Sequence, residues 1–143
     1  MTDIFVVGYD GSDSANRAVA FASARARKAG ARLHLVQVLE WSPYSFHTPE
    51  ELAERHMRRE QELDRGHAII QPAMDQLKAD GIEVTGEARH GNAAELLCSI
   101  AEEKGASQII VGRTGGSGLA NRLLGSLAIT LVQAAPVAVT IVP

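Results

Sequence analysis

The run Ile4-Phe5-Val6-Val7-Gly8-Tyr9 constrains the fold of this chain more than any other segment. It is apolar without alternation, which excludes a strand with one wet face and fits a strand buried on both sides in a parallel sheet. Ile109-Ile110-Val111 has the same character, and Leu33 to Leu39 and Val137 to Val142 read as two further strands. Ile82 to Arg89 alternates apolar with polar residues, as a strand at a sheet edge does.

Helical segments separate these runs. After Asp10-Gly11, where Ser12 or Asp13 can cap, Ala15, Ala18, Val19, Ala22 and Ala26 recur at helical spacing up to a stop at Gly30. A stripe made mostly of alanine lets that helix lie close to a sheet. Trp41, Pro43, Tyr44 and Phe46 make an aromatic loop, and Thr48-Pro49-Glu50-Glu51 starts a second helix with Thr48 as N-cap. Arginines and acids interleave along it at three- and four-residue spacing, the mark of a solvated face supported by ion pairs. Pro72 is expected to kink or restart it before Gly81. Asn92-Ala93-Ala94-Glu95 opens a third helix that ends near Gly105, and a short fourth helix runs from Ser126 to before Pro136. Strand and helix alternate throughout, which implies an α/β fold with a parallel sheet and helices on both faces. Residues 1–143 show no linker or repeat and read as a single domain.

Composition narrows the function classes. Hydrophobic residues are 45% of the 143, aromatic ones 4%, so aliphatic side chains do the packing. A formal net charge of −3 gives no basic field to recruit nucleic acid or an anionic membrane. The lone cysteine, Cys98, excludes an intramolecular disulfide framework, fits a reducing compartment, and lies in a helical run as a small hydrophobe. With no signal-length apolar run and no bilayer-length segment, the expectation is a cytoplasmic protein that is not membrane-embedded.

The chemistry concentrates in Val111-Gly112-Arg113-Thr114-Gly115-Gly116-Ser117-Gly118 and in Gly125-Ser126-Leu127. Glycine amides approach an anion closely, and successive amides in a turn form a concave nest for phosphate oxygens. Ser126 is placed to cap a helix whose first N–H groups and dipole favour negative charge. Nine residues, 116 to 124, lie between Gly115 and Gly125, and the two elements together make one composite phosphate site. Asp10 ends the first strand, so beside the glycine loop its carboxylate can accept from ribose hydroxyls or hold a divalent cation; alternatively it only starts the turn. No Gly-Lys-Ser/Thr closes the loop, and the glycines follow the fourth strand, so neither a Walker A loop nor a dinucleotide fingerprint is present. Arg89-His90-Gly91 stands where a receiver domain would need its acceptor aspartate. No Ser-His-Asp set emerges from spacing. The five histidines lack metal-site spacing, and among them only His90 falls at the carboxyl end of a strand, where it can line a pocket or play no part.

These residues resemble the universal stress protein family, in particular its ATP-binding branch. The family pattern G-x2-G-x9-G-[ST] is met by Gly112, Gly115, Gly125 and Ser126, with Asp10, Val38 and the His90-Gly91-Asn92-Ala93 turn in matching places. The resemblance covers essentially the whole chain. It implies a Rossmann-like sheet of five strands in the order 3-2-1-4-5, similar to the adenine nucleotide alpha hydrolases. It implies ATP, with Mg possible through Asp10, the Val38 backbone at the base, and Gly112, Arg113, Thr114, Gly115, Gly116, Gly125, Ser126 and Leu127 around the phosphates. Arg113 either adds charge there or points to solvent. Ser117 and Asn121 are weaker candidates. A homodimer or higher oligomer through the C-terminal strand is implied as well, and Pro136 to Val142 is an apolar edge that needs a cover. The expected function is an ATP-binding regulatory protein acting on its own oligomeric state or on an unknown partner protein. A slow ATP-hydrolysing enzyme and a non-nucleotide interaction module are the alternatives.

Overall fold

The computed structural model describes residues 2–39, 49–114 and 125–143. Thr48, the aromatic residues Trp41, Tyr44 and Phe46, and Gly115, Gly116, Ser117 and Asn121 lie outside the described residues. The strands are β1 (Ile4–Gly8), β2 (Arg32–Leu39), β3 (Val84–His90), β4 (Gln108–Gly112) and β5 (Ala138–Val142). The helices between them are α1 (Asp13–Ala29), α2 (Pro49–Ala79), α3 (Ala93–Lys104) and α4 (Ser126–Ala134). All strand pairs are parallel, and the sheet runs β3-β2-β1-β4-β5. Val6 faces His34 on one side and Ile109 on the other, so β1 is the strand from which the chain winds outward in both directions.

Alternate residues of each strand feed opposite layers, because successive side chains point to opposite faces. Phe5, Val7, Leu33, Leu35 and Ile110 pack under α1 and α2, while Val6, Val36, Ile109 and Val111 pack under α3 and α4. The alanine stripe of α1 behaves as its spacing requires: Ala15, Ala18, Ala22 and Ala26 are all buried in the first layer. With so little side chain between helix and sheet, α1 contributes backbone proximity, and Leu33, Leu35 and Ile110 carry the burial energy, about 1.5–3 kcal/mol each.

Two boundaries differ from the sequence-based expectation. α2 continues unbroken through Pro72 for 31 residues. Pro72 and Ala68, whose carbonyl loses its helical donor there, both lie on the exposed face, where water can serve that carbonyl. The third strand begins at Val84 rather than Ile82, since the Ile82 N–H donates to Leu77 O (2.9 Å) and belongs to the turn that ends α2. Gly30 and Gly105 end α1 and α3 in the left-handed conformation, as stop glycines do.

Candidate functional site

In an open parallel sheet the ligand crevice lies beyond the carboxyl ends of the strands where the winding direction reverses. Here that point falls between β1 and β4, and a cavity of about 330 Å³ occupies it. Its walls come from six elements. Gly8, Tyr9 and Asp10 leave β1, Val36 and Val38 belong to β2, and Val111 to Thr114 leave β4. The first turns of three helices converge from outside: Ser12 and Ala15 at α1, Ala93 and Leu97 at α3, and Ser126, Leu127 and Ala128 at α4. The inner wall is apolar, and among the described lining residues Asp10 and Arg113 carry the charge.

Each charged residue is set by local backbone chemistry. Asp10 is exposed, and its Oδ1 accepts from the Ser12 N–H at 2.9 Å, so it does form the turn that starts α1. Ser12 in turn is the N-cap, its Oγ accepting from the Ala15 N–H at 3.1 Å. One Asp10 oxygen thus holds the turn while the carboxylate still lines the cavity. The Asp10 charge, after burial itself, pushes the Tyr9 phenol above its ordinary pKa, so Tyr9 stays neutral and donates to Asn16 Oδ1 at 2.7 Å.

At the end of β4, Gly112 is required by close approach. A Cβ there would collide with the Ser14 hydroxyl and lie 2.8 Å from the Ser14 carbonyl oxygen. The Arg113 N–H donates to Val142 O of β5 (2.8 Å), and its carbonyl accepts from the Gly125 N–H (2.9 Å). The Arg113 Nε is buried and makes no hydrogen bond among the described residues. Sequence reading assigned the α4 cap to Ser126; the cap is Gly125, and no side chain caps this helix. Ser126 stands one residue further on, at the first helical position, with its own carbonyl engaged by the Thr130 hydroxyl at 2.9 Å. The reason is geometric: Gly125 holds the extended backbone of a cap residue, φ −67° and ψ 160°, and glycine has no side chain to return. No acidic side chain sits in the first turn of α4 either.

Val38 occupies a particular place. Val36 accepts from the Tyr9 N–H and Leu39 from the Gly91 N–H, so peptide groups of β2 alternate between β1 and β3. By that alternation the N–H and C=O of Val38 turn toward β1. The last rung of β1 is Gly8 with Val36, so Val38 faces the space beyond it. A donor and an acceptor side by side in an apolar wall suit the edge of a flat heterocycle.

A family model described as the universal stress protein family matches residues 1–143. The chain belongs to this family. A universal stress protein of Thermus aquaticus, named for the 3' region of QAH/OAS sulfhydrylase, is 30% identical over 150 residues and is covered to 99%, as is this chain. Universal stress protein UspA from Lactobacillus plantarum has the same fold, with a TM-score of 0.84 at 20% identity, covering 99% of this chain and 97% of its own. A universal stress protein solved in complex with cAMP is 28% identical, with a TM-score of 0.70 over 99% of this chain and 97% of that one.

In this universal stress protein Asp10, Val38, Gly112, Arg113, Thr114, Ser126 and Leu127 come together at one cavity, and Gly125 adjoins it through Arg113. His90 is not among the lining residues; its Nε2 meets Glu62 Oε2 of α2 at 2.9 Å. Cys98 is half-buried, and burial followed by the nearby Glu102 charge raises its thiol pKa, so it sits as a packing residue. Sequence reasoning missed Ala93 and Leu97. Their four-residue spacing behind the Asn92 cap put them on one face, but small apolar residues carry no chemical signal. Among the described residues, no helix is long and apolar enough to cross a membrane.

Proposed function

We propose that the chain binds ATP in this cavity and works as a regulatory protein, its occupancy altering its oligomeric state or a partner protein in the cytoplasm. The observation that carries the reading is the pairing of an apolar wall bearing the Val38 peptide groups with an uncapped α4 start beside Arg113. The Val38 N–H and C=O match the acceptor and donor on one edge of adenine. Asp10 serves the ribose. Gly112 to Gly116 and Gly125-Ser126-Leu127 supply phosphate donors, and Arg113 adds charge. The cAMP complex of a 28% identical relative supports an adenine nucleotide as the ligand class. Among the described residues no group of three His, Cys, Asp or Glu side chains could hold a metal ion. Magnesium therefore fits as an ion brought by the phosphates, with Asp10 the carboxylate at hand.

Occupancy acts at a distance only if the nucleotide binds one state of the protein better than another. Arg113 offers the physical link, since its amide is bonded to β5, the outer strand of the sheet. β5 is half-buried, Ile129 and Val132 of α4 are exposed nearby in the chain, and a second copy pairing along β5 would cover this edge. The test is the nucleotide content of the purified protein after denaturation, by chromatography and mass spectrometry. Near-stoichiometric ATP is the expected result. Bound ADP or AMP would redirect the reading to hydrolysis. A protein that arrives empty and fails to bind added ATP with magnesium would end it.

A further inference from the structure

His34 is a buried titratable group that the nucleotide reading leaves unused. Its place follows from strand alternation. Leu33 and Leu35 face α1 and α2, so His34 turns the other way, into the layer of Val6 and Val36, at 3% exposure. β3 is the outer strand on that side of the sheet, and its Thr85 is the register partner of His34. Thr85 is exposed, and Glu87, two residues on, shares its face.

Both ring nitrogens are engaged. Nδ1 lies 2.6 Å from Thr85 Oγ1, and Nε2 lies 2.6 Å from Glu87 Oε2. Glu87 is also paired with Arg89, so it is a carboxylate and can only accept. The ring proton therefore sits on Nε2, and the Nδ1 lone pair is left to accept from the Thr85 hydroxyl. Burial pushes the His34 pKa down; Glu87 opposes the shift, while the Lys104 charge of α3 and the Arg89 charge of β3 assist it. Glu103 of α3 is taken up by Arg89 at 3.3 Å, and on the β1 side His34 meets Val6. The imidazole is thus neutral at neutral pH and able to take a proton.

Carboxylate, imidazole and hydroxyl joined in that order are the parts of an activated nucleophile. Spacing hid them, because Thr85 and Glu87 stand 51 and 53 positions from His34. The backbone adds a donor. The Leu33 N–H donates to Glu83 O, so by alternation the peptide groups of Thr85 and Glu87 turn to β2 and that of Gly86 turns off the outer edge. An N–H directly after the nucleophile is open there to an oxygen that gains charge during attack.

We propose that Thr85 is an acyl-accepting nucleophile for small activated carboxylic esters, with His34 as its general base and Glu87 as the positioning residue that holds the ring. Thr85 Oγ1 attacks the ester carbonyl carbon as its proton passes to His34 Nδ1. The bond to the leaving oxygen then breaks, that oxygen departs with the electron pair, and an acyl ester of Thr85 remains. Thr85 lies on an open strand face, so the leaving group must supply the reactivity. None of the three residues lines the nucleotide cavity, and the proposal stands apart from that reading.

The probe is p-nitrophenyl acetate. Wild type should release p-nitrophenolate in a burst of about one equivalent per chain, and mass mapping should find the acetyl group on Thr85. Thr85→Val, a change of similar shape at an exposed position, should lose both burst and label, and Thr85→Ser should keep both. His34→Gln should slow the burst about a hundredfold or more, the usual worth of a general base. Glu87→Gln guards against a His34 variant that fails to fold. It should slow the burst and move the pH profile lower, since no carboxylate then favours the charged ring. In wild type the rate should rise with pH and level off by about 6.5. No burst, a label confined to lysines or the N-terminal amine, a burst that survives Thr85→Val, or a rate that climbs with hydroxide without levelling overturns the proposal.

Discussion

The helices α3 and α4 both point their N-termini into the same cavity, and they end differently. α3 is closed by its own sequence: the Asn92 side chain accepts from the Glu95 N–H at 3.1 Å, and Glu95 places a negative charge in the first turn. α4 has glycine at the cap, no side-chain hydrogen bond and no acid in its first turn. The first four N–H groups of any helix lack internal partners. In α3 local residues answer that need. In α4 no described side chain answers it, and the buried Arg113 Nε lies at the same wall. On the proposed reading, a helix start left without a side-chain cap is one that an anion can occupy.

Mutations that exchange the two kinds of helix start test this contrast. The largest effect is expected where the wall between α1 and β4 is broken. Gly112→Ala forces a Cβ against the Ser14 backbone, with oxygen and carbonyl carbon at 2.8 and 2.9 Å, so trimming the Ser14 side chain cannot relieve it. Loss of about 2–3 kcal/mol of stability is expected, read as a lower Tm and a lower urea midpoint. Next, Gly125→Asp gives α4 the cap it lacks. The site has room, since a Cβ there meets Arg113 O at 3.5 Å, and the backbone is already extended. ATP affinity should fall tenfold or more, about 1.4 kcal/mol, while Tm without nucleotide holds or rises. If ATP binds as tightly as before, α4 is not an anion site.

The reciprocal change is smaller. Asn92→Ala removes the α3 cap and should cost about 1 kcal/mol in denaturation while leaving ATP affinity within about twofold. A large loss of ATP binding would mean that α3 meets the phosphates as well. The smallest effect should come from pH, far from either helix start. His34 is buried on β2, its Nδ1 against Thr85 Oγ1 and its Nε2 against Glu87 Oε2, both at 2.6 Å. Burial lowers its pKa; Glu87 opposes that shift, and the Lys104 and Arg89 charges assist it. The folded protein therefore takes up this proton less readily than the unfolded chain. Its contribution is complete above the ordinary histidine value of about 6.5 and is lost as pH falls below it. Melting at pH 5.5 should be lower than at pH 7.5, and His34→Gln should narrow the gap.

What the sequence disclosed follows from which forces act locally. The continuous apolar strands and the alanine stripe of α1 were legible because burial imposes them on every turn. Ser12 and Asn92 were legible as caps because the side chain and its amide partner lie three residues apart. The restart allowed for at Pro72 does not occur, because the cost of a proline depends on whether water reaches the carbonyl it orphans, which spacing does not encode. The α4 cap fell to Gly125 rather than Ser126, a one-residue choice made by backbone dihedrals. The hydrogen bond between Ser14 and Thr114 was invisible for a different reason: nothing in a linear chain announces that two residues a hundred positions apart will meet. Asp10, Val38, Gly112, Arg113, Thr114, Ser126 and Leu127 were nominated from motif and resemblance, and the fold brought them to one cavity.

The hydrogen bond from Gly125 to Arg113 has a consequence for how such a protein can diversify. It joins the chain just before residue 114 to the chain just after residue 124, so the intervening segment leaves and rejoins the domain at a single rung. A segment closed at its base is a cassette. Doubling its length costs only about 0.6 kcal/mol in closure entropy. The number of residues between 114 and 125 can therefore change while the Arg113–Gly125 rung, and the helix starts that converge on the crevice, are kept.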